Sequence, residues 1–186
     1  MSASSRVRVY IACSLDGFIA GPDDDLSWLA ASEHVPNTPA PPTGAMEFDG
    51  FMAQVGALLM GRRTHDVVAG MGQWIYGDMP VLVATHRPLD PMSETVRPIS
   101  GDITQLVAQA KDTAGDKDVY LDGGTLIRQA LDAGLVDELV ITFVPVLLAE
   151  GIRLFDGLVA RQSLEFVAHH RYGHDKLQVT ARVRRP

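Results

Sequence analysis

The sequence has little cysteine, fewer basic than acidic residues and no long apolar run. Its single cysteine, Cys13, rules out a disulfide within the chain, which is typical of proteins in a reducing cytoplasm. Acidic residues outnumber basic ones by 23 to 16, and the net charge of −7 argues against a nucleic-acid or anionic-membrane surface. The apolar runs are too short to span a bilayer, and residues 1–5 lack the apolar region of a signal peptide. We therefore expect a cytoplasmic protein without a nucleic-acid or membrane partner.

Common catalytic and metal-binding signatures are missing as well. The pattern G-x-G-x-x-G does not occur, which disfavours a standard Rossmann domain, and no nucleophile elbow supports hydrolase chemistry. His169, His170 and His174 lie close together, but the Cys and carboxylate partners of a zinc site are not evident nearby. We interpret them as surface histidines and predict no metal. Cys13 lies in an apolar run, which favours a buried, inert thiol over a nucleophile.

Strand-like and helix-like patterns alternate along most of the chain. Apolar runs predict strands at residues 7–12, 57–60, 80–85, 95–99, 119–121 and 139–148. Helical spacing of apolar residues predicts helices at residues 46–54, 64–69, 103–110 and 126–131. Asp102 is the expected N-cap of the third helix, and Gly134 is the expected stop of the fourth. Pro145 suggests a bulge or a sheet edge in the last strand.

The final part of the chain has a different pattern. Residues 164–170 and 177–183 alternate apolar and polar side chains, which predicts an antiparallel hairpin around Gly173. Residues 17–25 and the proline-rich residues 36–44 are expected to be loops, with a lid as an open role for the second. We predict one α/β domain over residues 1–186, with a mostly parallel central sheet flanked by helices and an antiparallel C-terminal hairpin.

Three short signatures stand where a predicted strand ends. They are Ser-Leu-Asp-Gly at 14–17, Met-Gly-Arg-Arg-Thr at 60–64 and Asp-Gly-Gly-Thr at 122–125. Ligands of α/β proteins collect at the carboxyl ends of the strands, so we expect the three segments to meet at one site. The second and third also open a helix, where free backbone N–H groups favour a phosphate. The set predicts a dinucleotide that lies across the sheet.

These segments resemble the dihydrofolate reductase fold and, more closely, the reductase domain of bacterial bifunctional riboflavin-biosynthesis deaminase-reductases and their stand-alone relatives. The anchors are Ala-x-Ser-Leu-Asp-Gly-x-Ile-Ala at 12–20, the second and third signatures, and the runs 134–139 and 145–151. The resemblance covers residues 7 to about 183. It implies a nicotinamide cofactor, NADPH more often than NADH, and hydride transfer to a C=N or C=O carbon.

The resemblance also assigns cofactor contacts by position. Backbone groups of Ala12 and Ile19 would meet the nicotinamide carboxamide. The pyrophosphate and the adenosine end would be held by Gly61, Arg62, Arg63 and Thr64. The adenosine 2′-phosphate would be met by Thr85, His86 and Arg87. The second phosphate turn would consist of Gly123, Gly124, Thr125 and Leu126. The alternative for Gly123 and Gly124 is a plain tight turn. The alternative for Arg62 and Arg63 is solvated surface charge.

Hydride transfer of this kind calls for a proton donor, and four acidic residues are candidates. We assign the catalytic role to Asp16, which follows the first strand; the alternative is a loop residue that caps local N–H groups. Glu47 and Asp49 lie where folate reductases carry a pterin-binding acid, or else on a solvated helix face. Asp122 stands where the riboflavin-pathway reductases commonly have Glu and would bind substrate there; the alternative is a turn residue.

The remaining features concern the substrate and the assembly. Trp28 and the run Trp74-Ile75-Tyr76 are expected to form an aromatic wall for a flat heterocycle, with core packing as the alternative. Tyr10 stands where the riboflavin enzymes commonly have a lysine. We predict an NADPH-dependent reductase of a small pyrimidine- or pterin-like substrate. The alternatives are a non-catalytic nucleotide-binding or ligand-sensing protein and a true dihydrofolate reductase. The apolar strand at 139–148 suggests a homodimer, unless the monomer buries it.

Overall fold

An eight-stranded sheet organises the protein, whose computed structural model describes residues 5–30, 44–173 and 175–185. The strands are β1 (Val7–Ser14), β2 (Phe18–Ala20), β3 (Val55–Gly61), β4 (Val81–Ala84), β5 (Val96–Ile99), β6 (Asp118–Asp122), β7 (Glu138–Val144), β8 (Ile152–Arg153), β9 (Ser163–Tyr172) and β10 (Lys176–Arg184). The main sheet has the order β5-β4-β3-β6-β1-β7-β10-β9, and β2 pairs separately with β8. Neighbours from β5 to β7 are parallel, whereas β10 runs antiparallel to β7 and β9, so the predicted fold class is confirmed.

Four helices cover the two faces of this sheet. They are α1 (Phe48–Met52), α2 (Arg62–Gly70), α3 (Ile103–Ala114) and α4 (Gly124–Asp132). Side chains along a strand alternate between the faces. In β3, Ala57 and Leu59 therefore join a core with α3 and α4, while Leu58 and Met60 join a second core with α1 and α2. The predicted N-cap of α3 is confirmed, because the Asp102 carboxylate accepts a hydrogen bond from the N–H of Gln105 at 2.9 Å.

Three predicted elements differ from the structure. Part of the stretch expected to be a loop at residues 17–25 forms strand β2. The helix predicted over residues 46–54 is confined to α1, because the backbone of Met46 bonds to Gln178 of β10. The expectation of a bulge or an edge at Pro145 is wrong: this residue follows the end of β7, and β7 lies inside the sheet between β1 and β10.

Some expectations fall outside the described part of the chain. The loop predicted at residues 36–44 does so except for Gly44, and His174 does so as well. Cys13 is buried, and that burial raises the pKa of its thiol to about 11, as expected for an inert cysteine. Within the residues that the structure describes, no helix combines the length and the apolar character needed to cross a bilayer.

A buried arginine near the amino end of β1 ties several elements together. Arg8 is 2% exposed, and its guanidinium donates to Glu138 at 2.7 Å and to Gln54 at 2.9 Å. It also lies 3.3 Å from a carboxylate oxygen of Asp118 and 4.8 Å from the centre of the Phe51 ring. A buried charge of this kind is tolerated because it is paired and hydrogen-bonded. The apolar pattern of residues 7–12 gave no sign of this network.

Candidate active site

A cleft of about 680 Å³ lies at the carboxyl ends of β1, β3 and β6. This volume is within the range of roughly 300–1,000 Å³ that is usual for small-molecule sites. Most of the residues assigned to the cofactor from the sequence line it: Ala12, Ile19, Gly61, Arg62, Arg63, Thr64, Gly123, Gly124, Thr125 and Leu126. The second and third signatures therefore meet at one site, whereas residues 14–17 of the first are not part of the described lining.

Two helices begin at this cleft with glycine N-caps. Gly61 precedes α2 and Gly123 precedes α4, and in the described structure neither helix has the side-chain cap that Asp102 gives α3. The first N–H groups of a helix have no partner within the helix. Those of α2 and α4 are therefore available to a ligand, and both helix dipoles favour an anion at the same place.

The two helix starts approach each other closely at Gly123, whose positive φ favours glycine. Gly123 has φ +97°, and a Cβ atom added there would lie 2.7 Å from the hydroxyl oxygen of Thr64. A Cβ atom on Gly124 would lie 2.9 Å from the side chains of both Ile19 and Arg128. Gly61 differs, since its Cβ position has no described atom within 4 Å. The backbone thus forms a cradle that is tight between the helices and open toward the cleft, which suits a pyrophosphate.

The arginines of the cleft are held by specific partners. Arg62 donates to Asp66 at 2.7 Å and to the carbonyl oxygen of Pro88 at 2.6 Å. Arg63 donates to Asp24 at 2.7 Å, which bridges α2 to the turn after β2. Arg128, which the sequence analysis missed, donates to the backbone carbonyl oxygens of residues 153 and 154. Its position one turn after Gly124 is the only sequence signal for it.

Thr85, His86 and Arg87, assigned to the 2′-phosphate, follow β4 just beyond the lining of the cleft. The hydroxyl of Thr85 accepts a hydrogen bond from the N–H of Arg87 at 3.0 Å. A guanidinium nitrogen of Arg87 lies 4.0 Å from Asp66, the carboxylate that also binds Arg62. Two arginines therefore flank one point on the rim beside the start of α2.

The other end of the cleft is aromatic. Its lining includes Tyr10, Phe48, Tyr76 and Tyr120. The Tyr10 ring centre lies 5.7 Å from that of Phe48, and the Tyr120 hydroxyl donates to the Tyr10 carbonyl oxygen at 2.9 Å. Phe51 packs beneath, with ring centres 4.9 Å from Tyr10 and 5.2 Å from Tyr120. Such a surface suits a flat ring.

Asp122 ends β6, between the aromatic Tyr120 and the glycine turn that opens α4. Its carboxylate accepts a hydrogen bond from the N–H of Gly123 at 2.7 Å and lines the cleft. Burial raises the pKa of this carboxyl group to about 6, and the hydrogen bonds from Gly123 and Tyr120 oppose the rise only in part. A carboxyl group with this pKa can hold or release a proton near neutral pH.

Asp16 has a different environment. Its carboxylate accepts hydrogen bonds from the Ser14 hydroxyl at 2.6 Å and from the N–H groups of Leu148 and Ala149 at 3.1 and 2.9 Å. The Ser14 bond above all lowers the pKa of Asp16 to about 2, so this residue is ionised at neutral pH. Asp16 lies outside the lining of the cleft. This geometry matches the alternative interpretation of Asp16, a residue that caps local N–H groups.

Four other residues assigned to the substrate are also absent from the described lining of the cleft: Trp28, Glu47, Asp49 and Trp74. Trp28 is 5% exposed, and its indole N–H donates to the Asp25 carbonyl oxygen at 3.1 Å. Trp74 packs against His65 and Tyr76 at ring distances of 6.1 and 5.2 Å. Glu47 and Asp49 occupy exposed positions at the N-cap and in the first turn of α1. Of the expected aromatic wall, Tyr76 reaches the cleft.

Gln178 anchors the cleft wall that carries Phe48. This side chain of β10 is 1% exposed, accepts a hydrogen bond from the Met46 N–H at 2.6 Å and donates to the Met46 carbonyl oxygen at 3.0 Å. The Tyr10 hydroxyl donates to the same carbonyl oxygen at 2.9 Å. The sequence gave no signal for this clamp, because residues 46 and 178 are far apart in the chain.

Known proteins share this architecture. A solved structure of a candidate riboflavin biosynthesis protein from Shewanella sp. PV-4 is 31% identical, with a TM-score of 0.81, and the match covers 97% of this chain and 99% of that one. The uncharacterized protein YwjB of Bacillus subtilis is 28% identical over 169 residues, which are 90% of this chain and 92% of YwjB. Dihydrofolate reductase from Enterococcus faecalis, complexed with NADP(H), is 18% identical with a TM-score of 0.65 over 100% of both chains, a likeness of fold alone.

The family follows from a match over most of the chain. The profile of the RibD C-terminal domain matches residues 5–177. The sheet order, the C-terminal hairpin and the solved structures agree on a dihydrofolate reductase-like fold. This chain belongs to the RibD C-terminal domain family.

Proposed function

We propose that this protein is an NADPH-dependent oxidoreductase that transfers a hydride to a small, flat, pyrimidine- or pterin-like heterocycle. The observation that carries the proposal is the meeting of two glycine-capped helix starts, α2 and α4, beside an aromatic pocket whose lining includes the carboxyl group of Asp122. The E. faecalis dihydrofolate reductase of the same fold was solved with NADP(H), which supports this cofactor. When bound, NADPH supplies a hydride from its nicotinamide ring.

The chain's own residues would position the reactants. The N–H groups of α2 and α4 bind the pyrophosphate, and Gly123, which lies beside Thr64, lets the two helix starts lie close enough to act together. The aromatic residues around Tyr10 and Phe48 hold the flat ring and exclude water. Because the sites for phosphate and ring share one cleft, both reactants are held beside the sheet's carboxyl edge.

Asp122 would supply the proton that accompanies the hydride. A C=N nitrogen becomes a better hydride acceptor when it is protonated, and Asp122 can share a proton with it at neutral pH. Asp16 is a poor donor, because its carboxylate is ionised and faces two N–H groups. We therefore assign the catalytic role to Asp122 and a positioning role to Asp16.

A preference for NADPH over NADH follows from Arg62 and Arg87 at the rim. Their guanidinium groups flank Asp66, where an adenosine 2′-phosphate would replace the carboxylate as partner. Thermal unfolding with each cofactor tests this proposal. A cofactor at a hundred times its Kd should add about 2.7 kcal/mol of stability, or roughly 5–10 °C in Tm for a domain of this size.

We expect a larger shift with NADPH than with NADH, and Arg87→Ala should reduce the difference. Arg97→Ala is the matched control, because this arginine of β5 donates to Thr113 and lies outside the cleft. No shift with either cofactor would refute the proposal. A rise in Tm with NADPH, but no oxidation of NADPH in the presence of dihydrofolate or any other heterocycle, would favour the ligand-sensing alternative. It would count against both the proposed reductase and a true dihydrofolate reductase.

A homodimer remains a proposal on a different surface from the one the sequence suggested. The strand at 139–148 is covered on both sides as β7, so its apolar character is explained within the monomer. The edge strand β9 instead exposes Leu164, Phe166 and Val167, with Phe166 75% exposed. Apolar edge strands favour pairing with a second chain. A monomeric mass by light scattering, unchanged on concentration, would refute the dimer.

A further inference from the structure

The charged side chains of the cleft are divided between its two ends. Arg62, Arg63 and Arg128 belong to the helix starts, and each is held there by a carboxylate or by backbone carbonyl oxygens. These contacts direct the guanidinium groups toward the rim and toward the loops around residues 24 and 153. The positive charge of the cleft therefore lies where a dinucleotide's phosphates are expected.

The aromatic end carries the opposite charge. Asp122 lies there among Tyr10, Tyr76 and Tyr120, and these four together contribute one ionisable carboxyl group and three phenols. In the part of the chain that the structure describes, Arg62, Arg63 and Arg128 are the basic residues of the lining, and none of them is paired with Asp122. The absence of a basic partner is consistent with the raised pKa of Asp122, whose largest cause is burial.

Arg8 is a nearby cation, and it is separated from the cleft. Its guanidinium lies 4.8 Å from the centre of the Phe51 ring, and Arg8 is not part of the described lining. Glu138 and Asp118 bind it directly, at 2.6 and 3.3 Å. A cation already paired with two carboxylates is a poor partner for a third anion.

The described lining contains one other acidic residue, Asp24. Its carboxylate is paired with Arg63 at 2.7 Å. Asp122 is therefore the acidic residue of the described lining that has no basic partner.

Building on the proposed hydride transfer, we propose that the aromatic end selects its substrate by charge. It takes a flat ring that is uncharged or cationic and that donates an N–H to Asp122, and it rejects a ring that carries an anionic substituent. An anion placed there would lose its hydration and would face a carboxylate of the same sign. A substrate whose phosphate lies close to the reacting ring is thereby excluded.

A matched pair of probes tests this selection. 5-Aminouracil and uracil-5-carboxylate differ at one ring position, where the first has an uncharged N–H donor and the second an anion. Isothermal titration calorimetry at pH 8 should give a Kd for the carboxylate that is about tenfold higher or more. Asp122→Asn should bring the two Kd values within about threefold, because the repelling charge is gone. Asp24→Asn, at the other end of the cleft, is the control and should keep the wild-type ratio.

The outcomes separate this inference from the proposed function. Equal or tighter binding of the carboxylate by the wild type would overturn the charge selection, even if NADPH binds. The same holds if 5-aminouracil fails to bind at its solubility limit, or if Asp24→Asn lowers the ratio as much as Asp122→Asn. Failure of NADPH to bind, with the expected ratio intact, would instead refute the proposed reductase and leave a charge-selective ring site.

Discussion

Replacing Asp122 with asparagine should make this protein more stable above pH 6. Asparagine keeps an oxygen that can accept the N–H of Gly123, and it removes the cost of an ionised group at the floor of the cleft. The pKa of Asp122 is about 6 in the folded protein and 3.8 without the protein's environment. Below about pH 4 the group is protonated in both states, so the folded state carries no penalty there.

The size of the effect follows from these two values. Between about pH 4 and pH 6 the folded chain binds more protons than the unfolded chain, so the free energy of unfolding falls as the pH rises. At about 1.4 kcal/mol per tenfold difference in proton affinity, the full penalty is up to about 3 kcal/mol above pH 6. With a urea m-value of about 2 kcal/mol/M, Asp122→Asn should raise the unfolding midpoint by roughly 1–1.5 M.

Urea unfolding of wild type and Asp122→Asn across pH 4 to 8 measures this directly. The difference in the free energy of unfolding between Asp122→Asn and the wild type should be largest at pH 8 and should disappear near pH 4. Asp16→Asn is the matched control with the opposite sign. The pKa of Asp16 is lowered to about 2, so its ionised form stabilises the fold above pH 4, and the amide should destabilise the protein at neutral pH. The reasoning would be refuted if Asp122→Asn were no more stable than the wild type at pH 8. It would also be refuted if the variant exceeded the wild type by the same amount at pH 4 as at pH 8.

Three further substitutions test the scaffold around the cleft. Gly123→Ala should lower the free energy of unfolding by about 1–2 kcal/mol because of the positive φ alone, and it should abolish the NADPH-induced rise in Tm. Gly50→Ala is the control and should keep that rise, because a Cβ atom at this position of α1 has open space. Equal NADPH-induced Tm shifts in the two variants would contradict the cradle. Glu138→Ala should lower the free energy of unfolding, measured in urea, by about 3–5 kcal/mol, because it removes a carboxylate partner of the buried Arg8 guanidinium. Glu165→Ala, at a more exposed ion pair, is the control and should lower it by about 0.5 kcal/mol or less. Gln178→Ala should lower the free energy of unfolding by about 1–3 kcal/mol, because it removes the hydrogen bonds that hold Met46 before α1. An unchanged rate of hydrogen exchange at the Met46 amide would count against this role of Gln178.

The side of the cleft with the two glycine-capped helix starts could be predicted from the sequence because its signals are local. Gly61 and Gly123 each follow an apolar strand and open a helix, and that order is enough to place both at the carboxyl edge of a parallel sheet. The α3 cap at Asp102 was found for the same reason, since its partner is three residues away. Local spacing fixes such features whatever the distant chain does.

The substrate side depended on contacts between distant residues. Phe48 reaches the cleft because residues 46 and 178 bond across the sheet, and no pattern within either segment carries that information. Asp16 follows a strand and Asp122 ends one. The sequence did not reveal that backbone N–H groups bind the carboxylate of Asp16, or that desolvation raises the pKa of Asp122. Pro145 was misjudged because its position relative to the sheet depends on where β10 pairs.

The clamp on Met46 has a consequence for motion. One wall of the cleft, at Phe48, is fixed to the sheet by hydrogen bonds from β1 and β10, so it should stay in place on every timescale short of unfolding. The lining also includes Met71, Ile75 and Tyr76, from a segment that has Gly72 at φ +74° and in which Met71 and Ile75 are each 52% exposed. This segment lacks such a clamp among the described hydrogen bonds, so we expect the motion of the cleft to be larger here than at Phe48.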